Sequence, residues 1–168
     1  EVVGAADNFI QGTFAYFQRD YGKAVHHLET AKKSKVIWND TLLAKSYVLL
    51  CKQQWKAKKD REALRTAKTA LTIAPKDLVA LFNCGVIEWH IESKESNETN
   101  TPEKEKGEWR KNLMQFNEIA DAKKSVNENI AQIVRSILLN SYKQRPPLLK
   151  IDEPSRRLGD VVLQLQQK

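Results

Sequence analysis

Glycine and proline are scarce in this chain, six and five in 168 residues. That is about half the usual share of glycine. It excludes collagen-like repeats and Gly/Pro-rich disorder, and it leaves few tight turns for a many-stranded sandwich or barrel. The two cysteines, Cys51 and Cys84, are too few for a disulfide scaffold and stand at no metal-ligand spacing. Both fall in apolar helical stretches, where cysteine behaves as a small hydrophobe. That usage points to a reducing compartment. His26, His27 and His90 have no cysteine or second histidine at chelating spacing, and adjacent residues on a helix point in different directions, so no metal is expected. There is no glycine-rich phosphate loop, no nucleophile elbow and no pair of carboxylates in an apolar setting. The sequence therefore implies a non-enzymatic protein without a cofactor. No apolar run approaches the roughly 20 residues of a membrane span, and no signal-peptide pattern opens the chain. Glu1 is not an initiator methionine, and the chain reads as an internal fragment.

What is abundant is Ala, Leu, Lys, Glu and Gln, the composition of long helices. The length suits one domain with its own core. Lysine and arginine number 28 against 21 acidic residues, a net charge of +7. A basic balance invites nucleic acid or an acidic partner, although the charges are spread as solvated helix faces would be.

The run Glu62-Ala63-Leu64-Arg65-Thr66-Ala67-Lys68-Thr69-Ala70-Leu71-Thr72-Ile73-Ala74-Pro75 matches the second helix of a tetratricopeptide (TPR) repeat, with Ala63, Ala70 and Pro75 at marker positions. Leu81-Phe82-Asn83-Cys84-Gly85 follows in phase as the next first helix. Gly12, Tyr21, Ala24, Leu28 and Ala31 repeat the pattern upstream, with Gly12 placed for close helix approach and Val36 standing where the closing proline would be. The fold expected is all-α, a TPR-type solenoid of about three repeats plus C-terminal helices. The expected helices are Ala5–Gln18, Tyr21–Lys33, Asn39–Lys56, Asp60–Ile73, Asp77–Ser93, Gly107–Lys124, Asn127–Lys143 and Pro154–Gln167. Residues 1–145 would form the solenoid, with a polar loop inserted at Ser93–Lys106. Pro146-Pro147 would end the penultimate helix, and 146–168 would be a linker and a last helix with Leu158, Val161, Val162 and Leu165 apolar.

In a TPR array the first helices line a concave groove. The positions that face it are Phe9, Thr13, Tyr16 and Phe17 in the first repeat, Leu43, Tyr47 and Leu50 in the second, and Val79, Phe82, Val86 and Trp89 in the third. This wall is apolar and aromatic, as a partner-binding surface would be. The alternative is that some of these residues, Leu43 and Phe82 above all, pack against the neighbouring repeat. A chaperone-type carboxylate clamp is disfavoured. Phe9, Thr13, Ala44 and Val79 stand at its positions, and only Asn83 fits. A second candidate surface is the basic corner of Lys56, Lys58, Lys59, Arg61, Arg65 and Lys68 beside Trp55. Basic and aromatic residues together suit nucleic acid, and the competing reading is a solvated corner with Trp55 under lysine stems.

Thr41–Lys143 resembles the C-terminal TPR region of the scaffold subunit of the polymerase-associated factor (PAF) transcription-elongation complex. The resemblance is carried by Ala63-Leu64-Arg65-Thr66-Ala67-Lys68-Thr69-Ala70-Leu71, by Ala80-Leu81-Phe82-Asn83-Cys84-Gly85-Val86-Ile87, and by the interrupted repeat that follows. The chain differs in lacking the first closing proline and in carrying Cys84-Gly85 where the family has an aliphatic residue and Ala. The resemblance implies a nuclear scaffold that holds an apolar segment of another subunit in an RNA polymerase II elongation complex. The alternatives are a nucleic-acid-binding helical-repeat protein and a TPR cochaperone or adaptor, the latter cytosolic.

Overall fold

The computed structural model describes residues 2–34, 40–96, 107–124 and 126–167. Every regular element among them is a helix: α1 (Val2–Phe17), α2 (Tyr21–Lys33), α3 (Asp40–Lys56), α4 (Asp60–Ile73), α5 (Leu78–Ser96), α6 (Trp109–Lys123), α7 (Glu128–Leu138) and α8 (Arg156–Gln166). The chain divides into two units. Unit 1 comprises 1–53 and 151–168, and unit 2 comprises 54–150.

Unit 1 is built on the α1–α2 hairpin. The turn is closed by Arg19 in the left-handed region, φ 62°. The N–H groups of Arg19 and Asp20 return to the carbonyls of Tyr16 and Ala15, as helix C-caps commonly do. Asp20 then caps α2 by accepting from the Lys23 N–H. Gly12 fulfils its expected role: a Cβ there would lie 2.7 Å from Leu28 Cγ. Ala15, Tyr16, Tyr21, Ala24 and Leu49 form the core, with Phe17, Leu42, Leu50 and Ile151 packed around it. Of the four apolar residues expected on the last helix, α8 leaves Leu158, Val161 and Leu165 exposed and buries Val162. Gly159 of α8 meets α1 so closely that a Cβ would fall 2.5 Å from the Phe17 carbonyl oxygen.

Unit 2 begins at the last turn of α3. Lys58, also at φ 62°, closes the turn into α4, its N–H bonded to the Trp55 carbonyl and that of Lys59 to Gln54. Asp77 accepts from the Ala80 N–H at 2.9 Å, which starts α5 where the sequence places an N-cap. α5 packs on α4 and α6. Gly85 permits the second contact, since a Cβ there would sit 2.7 Å from Leu113 Cδ2. Phe82, Val86, Ile87, Leu113, Phe116, Val134 and Ile137 are 1% exposed or less, and each such side chain stabilises the unit by roughly 1.5–3 kcal/mol.

Helix ends differ from expectation by up to three residues at α1, α6 and α8, and two further differences bear on the site. α5 continues to Ser96, so the first residues of the anticipated insertion are helical; 97–106 lie outside the described residues, as do Val36 and Asn39. α7 stops at Leu138 rather than Lys143. Asn140 takes the left-handed conformation at φ 60° and the Ser141 N–H reaches the Ser136 carbonyl at 2.8 Å, a helix-ending arrangement for which asparagine is suited.

Candidate functional site

The early end of α7 frees an extended segment, Tyr142–Lys150, and the structure lays it on unit 2. A proline disfavours helix in the residue before it, so Arg145-Pro146-Pro147 is set to run extended. Arg145 is its anchor. Nη2 donates to the Trp55 carbonyl at 2.7 Å and to Asp60 Oδ1 at 2.8 Å. Nη1 donates to Asp60 Oδ2 at 3.1 Å. The guanidinium lies over the Trp55 ring, 3.4 Å from its centroid, a cation–π geometry. The Trp55 Nε1–H donates to the Pro146 carbonyl at 3.3 Å, and the Leu149 N–H donates to Asn83 Oδ1 at 2.8 Å. Trp89 meets the Tyr142 ring edge-on, with centroids 5.7 Å apart. Residues of the helices thus read the backbone of the segment at Pro146 and Leu149 and its side chain at Arg145.

The node around Arg145 sets its own electrostatics. Burial would raise the Asp60 carboxyl, but hydrogen bonding and charge from Arg145, helped by His90 and Lys94, hold it below the usual carboxylate range. Arg145 also approaches His90 Nε2 at 3.3 Å. Arginine can only donate, so a hydrogen bond there requires the neutral His90 tautomer with its proton on Nδ1, while His90 in its charged form adds to the pull on Asp60. Burial, then Lys94 and Arg145, lower the His90 pKa against the pull of Asp60.

The residues singled out by sequence separate into two kinds. In unit 1, Phe9, Thr13, Phe17, Tyr47 and Leu50 are half-buried, and Tyr47 donates to Glu29 Oε1 at 2.8 Å. Tyr16 and Leu43 are buried, at 7% and 0% exposed. In unit 2, Val79 is half-buried, whereas Phe82, Val86 and Trp89 are buried. Phe82 packs on Phe116, with centroids 5.3 Å apart, which makes it part of the α5–α6 core. The basic corner is exposed at Lys56, Lys58, Lys59, Arg61, Arg65 and Lys68. Arg61 pairs with Glu95 and Lys68 with Glu88. Trp55 lies beneath Arg145 and not beneath lysine stems. Cys84 is buried, and burial followed by Glu88 pushes its thiol up to about 12, so it is not a nucleophile at neutral pH.

Sequence reasoning did not find Asp60, Arg145 or Leu149. The signal in the sequence is Arg145 directly before Pro146-Pro147, a pair that both stops a helix and sets the preceding residue extended. No helix of the described residues is long and apolar enough to cross a membrane, and no group of three or more His, Cys, Asp or Glu among them could hold a metal ion. No protein-family model matches the chain, and no curated protein matches it in sequence.

Proposed function

We propose that the chain is a non-enzymatic, TPR-type interaction scaffold that holds an apolar segment of another subunit, and that its setting is an RNA polymerase II elongation complex in the nucleus. The observation that carries the reading is the seating of Tyr142–Lys150. Helices of this chain take an extended segment through Asn83, Trp55 and Asp60, with two of the bonds directed at its main chain. Main-chain bonds that hold an extended segment while a pocket takes one of its side chains are a general mode of peptide recognition. In unit 2 the chain's own segment is that ligand. In unit 1, Phe9, Thr13, Phe17, Tyr47 and Leu50 keep part of their surface in solvent and are the positions we assign to the partner. The elongation-complex setting comes from the resemblance of Thr41–Lys143. The burial of Trp55 under Arg145 leaves the basic corner without an aromatic platform for bases, which favours the protein scaffold over the nucleic-acid reading.

The test is affinity purification from nuclear extract followed by mass spectrometry, comparing the native chain with the double variant Phe9→Ala, Tyr47→Ala. Elongation-complex subunits should be recovered by the first and lost by the second. Central aromatic anchors cost about 2 kcal/mol or more when truncated, roughly thirtyfold in affinity. Helicity by circular dichroism should be retained. Recovery of RNA or chaperones in place of such subunits would reject this reading.

A further inference from the structure

Beside the Arg145 node, a cleft of about 390 Å³ opens between the end of α5 and the residues that follow α7. Lys94 from α5 and Lys143 from the segment both line it, and no carboxylate does. Neither ammonium has a carboxylate within salt-bridge distance among the described residues. Trp89 also lines the cleft. It is 5% exposed, yet its Nε1–H has no acceptor, and an unsatisfied buried donor is costly. Gln144 adds an amide donor to the lining. Most of the surrounding charge has the same sign, although Asp60 Oδ2 lies 3.9 Å from His90 Nε2. Lys58, Lys94 and Arg145 all oppose protonation of His90 at the cleft wall. Asp60, which alone pulls the other way, is engaged by both Arg145 nitrogens.

Among the described residues the cleft brings together two lysines without an ion-pair partner and a buried Trp89 N–H without an acceptor, and no carboxylate lines it. We propose that this cleft receives an anionic side chain of a peptide partner, a carboxylate or a phosphate, paired by Lys94 and Lys143. The assignment to a peptide rests on the scaffold reading above. A base of single-stranded nucleic acid would need an open aromatic face. Trp89 is buried, and Tyr142 is turned edge to face against it.

The test is fluorescence anisotropy with three labelled octapeptides of one sequence, carrying paired glutamates, a phosphoserine, or glutamine at the same positions. Both anionic peptides should bind saturably and the glutamine peptide should not. The double variant Lys94→Gln, Lys143→Gln should weaken binding about tenfold or more, as expected for losing charge-assisted bonds. The charge-matched control Lys23→Gln, Lys76→Gln should change it less than about twofold, since separated surface charges are screened. A clear preference for phosphoserine assigns the phosphate source, and equal affinity assigns the carboxylate. Equal losses in variant and control, or binding of the glutamine peptide, would overturn the site. Tighter binding of an oligo-dT probe through the same lysines would overturn its assignment to a peptide. The purification experiment alters only unit 1. Failure there with saturable peptide binding here would reject the scaffold partner and leave the cleft, and the converse would reject the cleft alone.

Discussion

The stretch that follows α7 is held by arginine twice, and the two arrangements run in opposite senses. In unit 2 the segment carries the arginine and the helices receive it: Arg145 enters between Trp55 and Asp60. In unit 1 the body carries the arginine and the segment is received. Arg19, at the α1–α2 turn, donates through Nε and Nη2 to the Pro154 carbonyl at 3.1 and 2.8 Å, and through Nη1 to Glu153 at 2.9 Å. Two of the three Arg19 bonds go to a carbonyl and read only the path of the chain, while the third reads the Glu153 side chain. Arg145, laid over an aromatic ring, is itself the side chain that is read. The surfaces beyond the two contacts also differ. α8 leaves Leu158, Val161, Leu163 and Leu165 exposed, while Pro146 is buried in unit 2.

The sharpest division should come from the aromatic wall. Phe82→Ala opens a cavity in the α5–α6 core and should cost about 3–5 kcal/mol in urea unfolding. Phe17→Ala, at a half-buried site of unit 1, should cost about 1 kcal/mol. Equal small losses would return Phe82 to an open groove. Next, Arg145→Ala should cost about 2 kcal/mol, less than a fully buried pair because its side chain keeps 23% exposure. Arg19→Ala, at 29% and without a ring to cover, should cost about 1 kcal/mol. Thermal unfolding would read these as melting-temperature losses of roughly 4–8 °C and 2–4 °C, and the reverse order would undo the contrast between the two arrangements.

The smallest effect is pH-dependent and should follow unit 2. His90 binds its proton less readily in the folded chain than at the ordinary histidine value of 6.5. The unfolded chain takes up that proton first, so the His90 contribution is complete above about pH 6.5 and declines as the pH falls through it. Asp60 is held below its ordinary 3.8, so the stability it adds is present above about pH 4 and is lost in more acid solution. The melting temperature should fall between pH 7.5 and 5.5, and His90→Gln, which keeps an acceptor for Arg145, should flatten that step. A step unchanged in His90→Gln would mean another group titrates there.

Local features were legible in the sequence. Tyr21–Lys33 and Asp60–Ile73 are helices with the expected bounds, because their small residues and the Asp20 cap act within a few residues. The all-helical class followed from composition and period. The exposure of the expected groove residues was legible only in part. Register alone does not say whether Phe82 meets solvent, because that depends on α6, whose Phe116 lies 34 positions away in sequence. The Arg145 node was not legible. Asp60 reads as an ordinary first-turn acid of α4 and Arg145 as one cation among many, and nothing local connects them.

Eighty-five residues separate Arg145 from Asp60, while the α4–α5 packing and the turns at Lys58 and Asp77 join neighbours in sequence. Contacts between sequence neighbours close first, and distant ones bear a larger loop-closure entropy. The helices of unit 2 should therefore assemble before Tyr142–Lys150 arrives, so that Arg145→Ala speeds unfolding and leaves the folding rate nearly unchanged. During synthesis the N-terminal part of the unit emerges first. For that interval Trp55, Asp60 and Asn83 lack the partners that Pro146, Arg145 and Leu149 later supply.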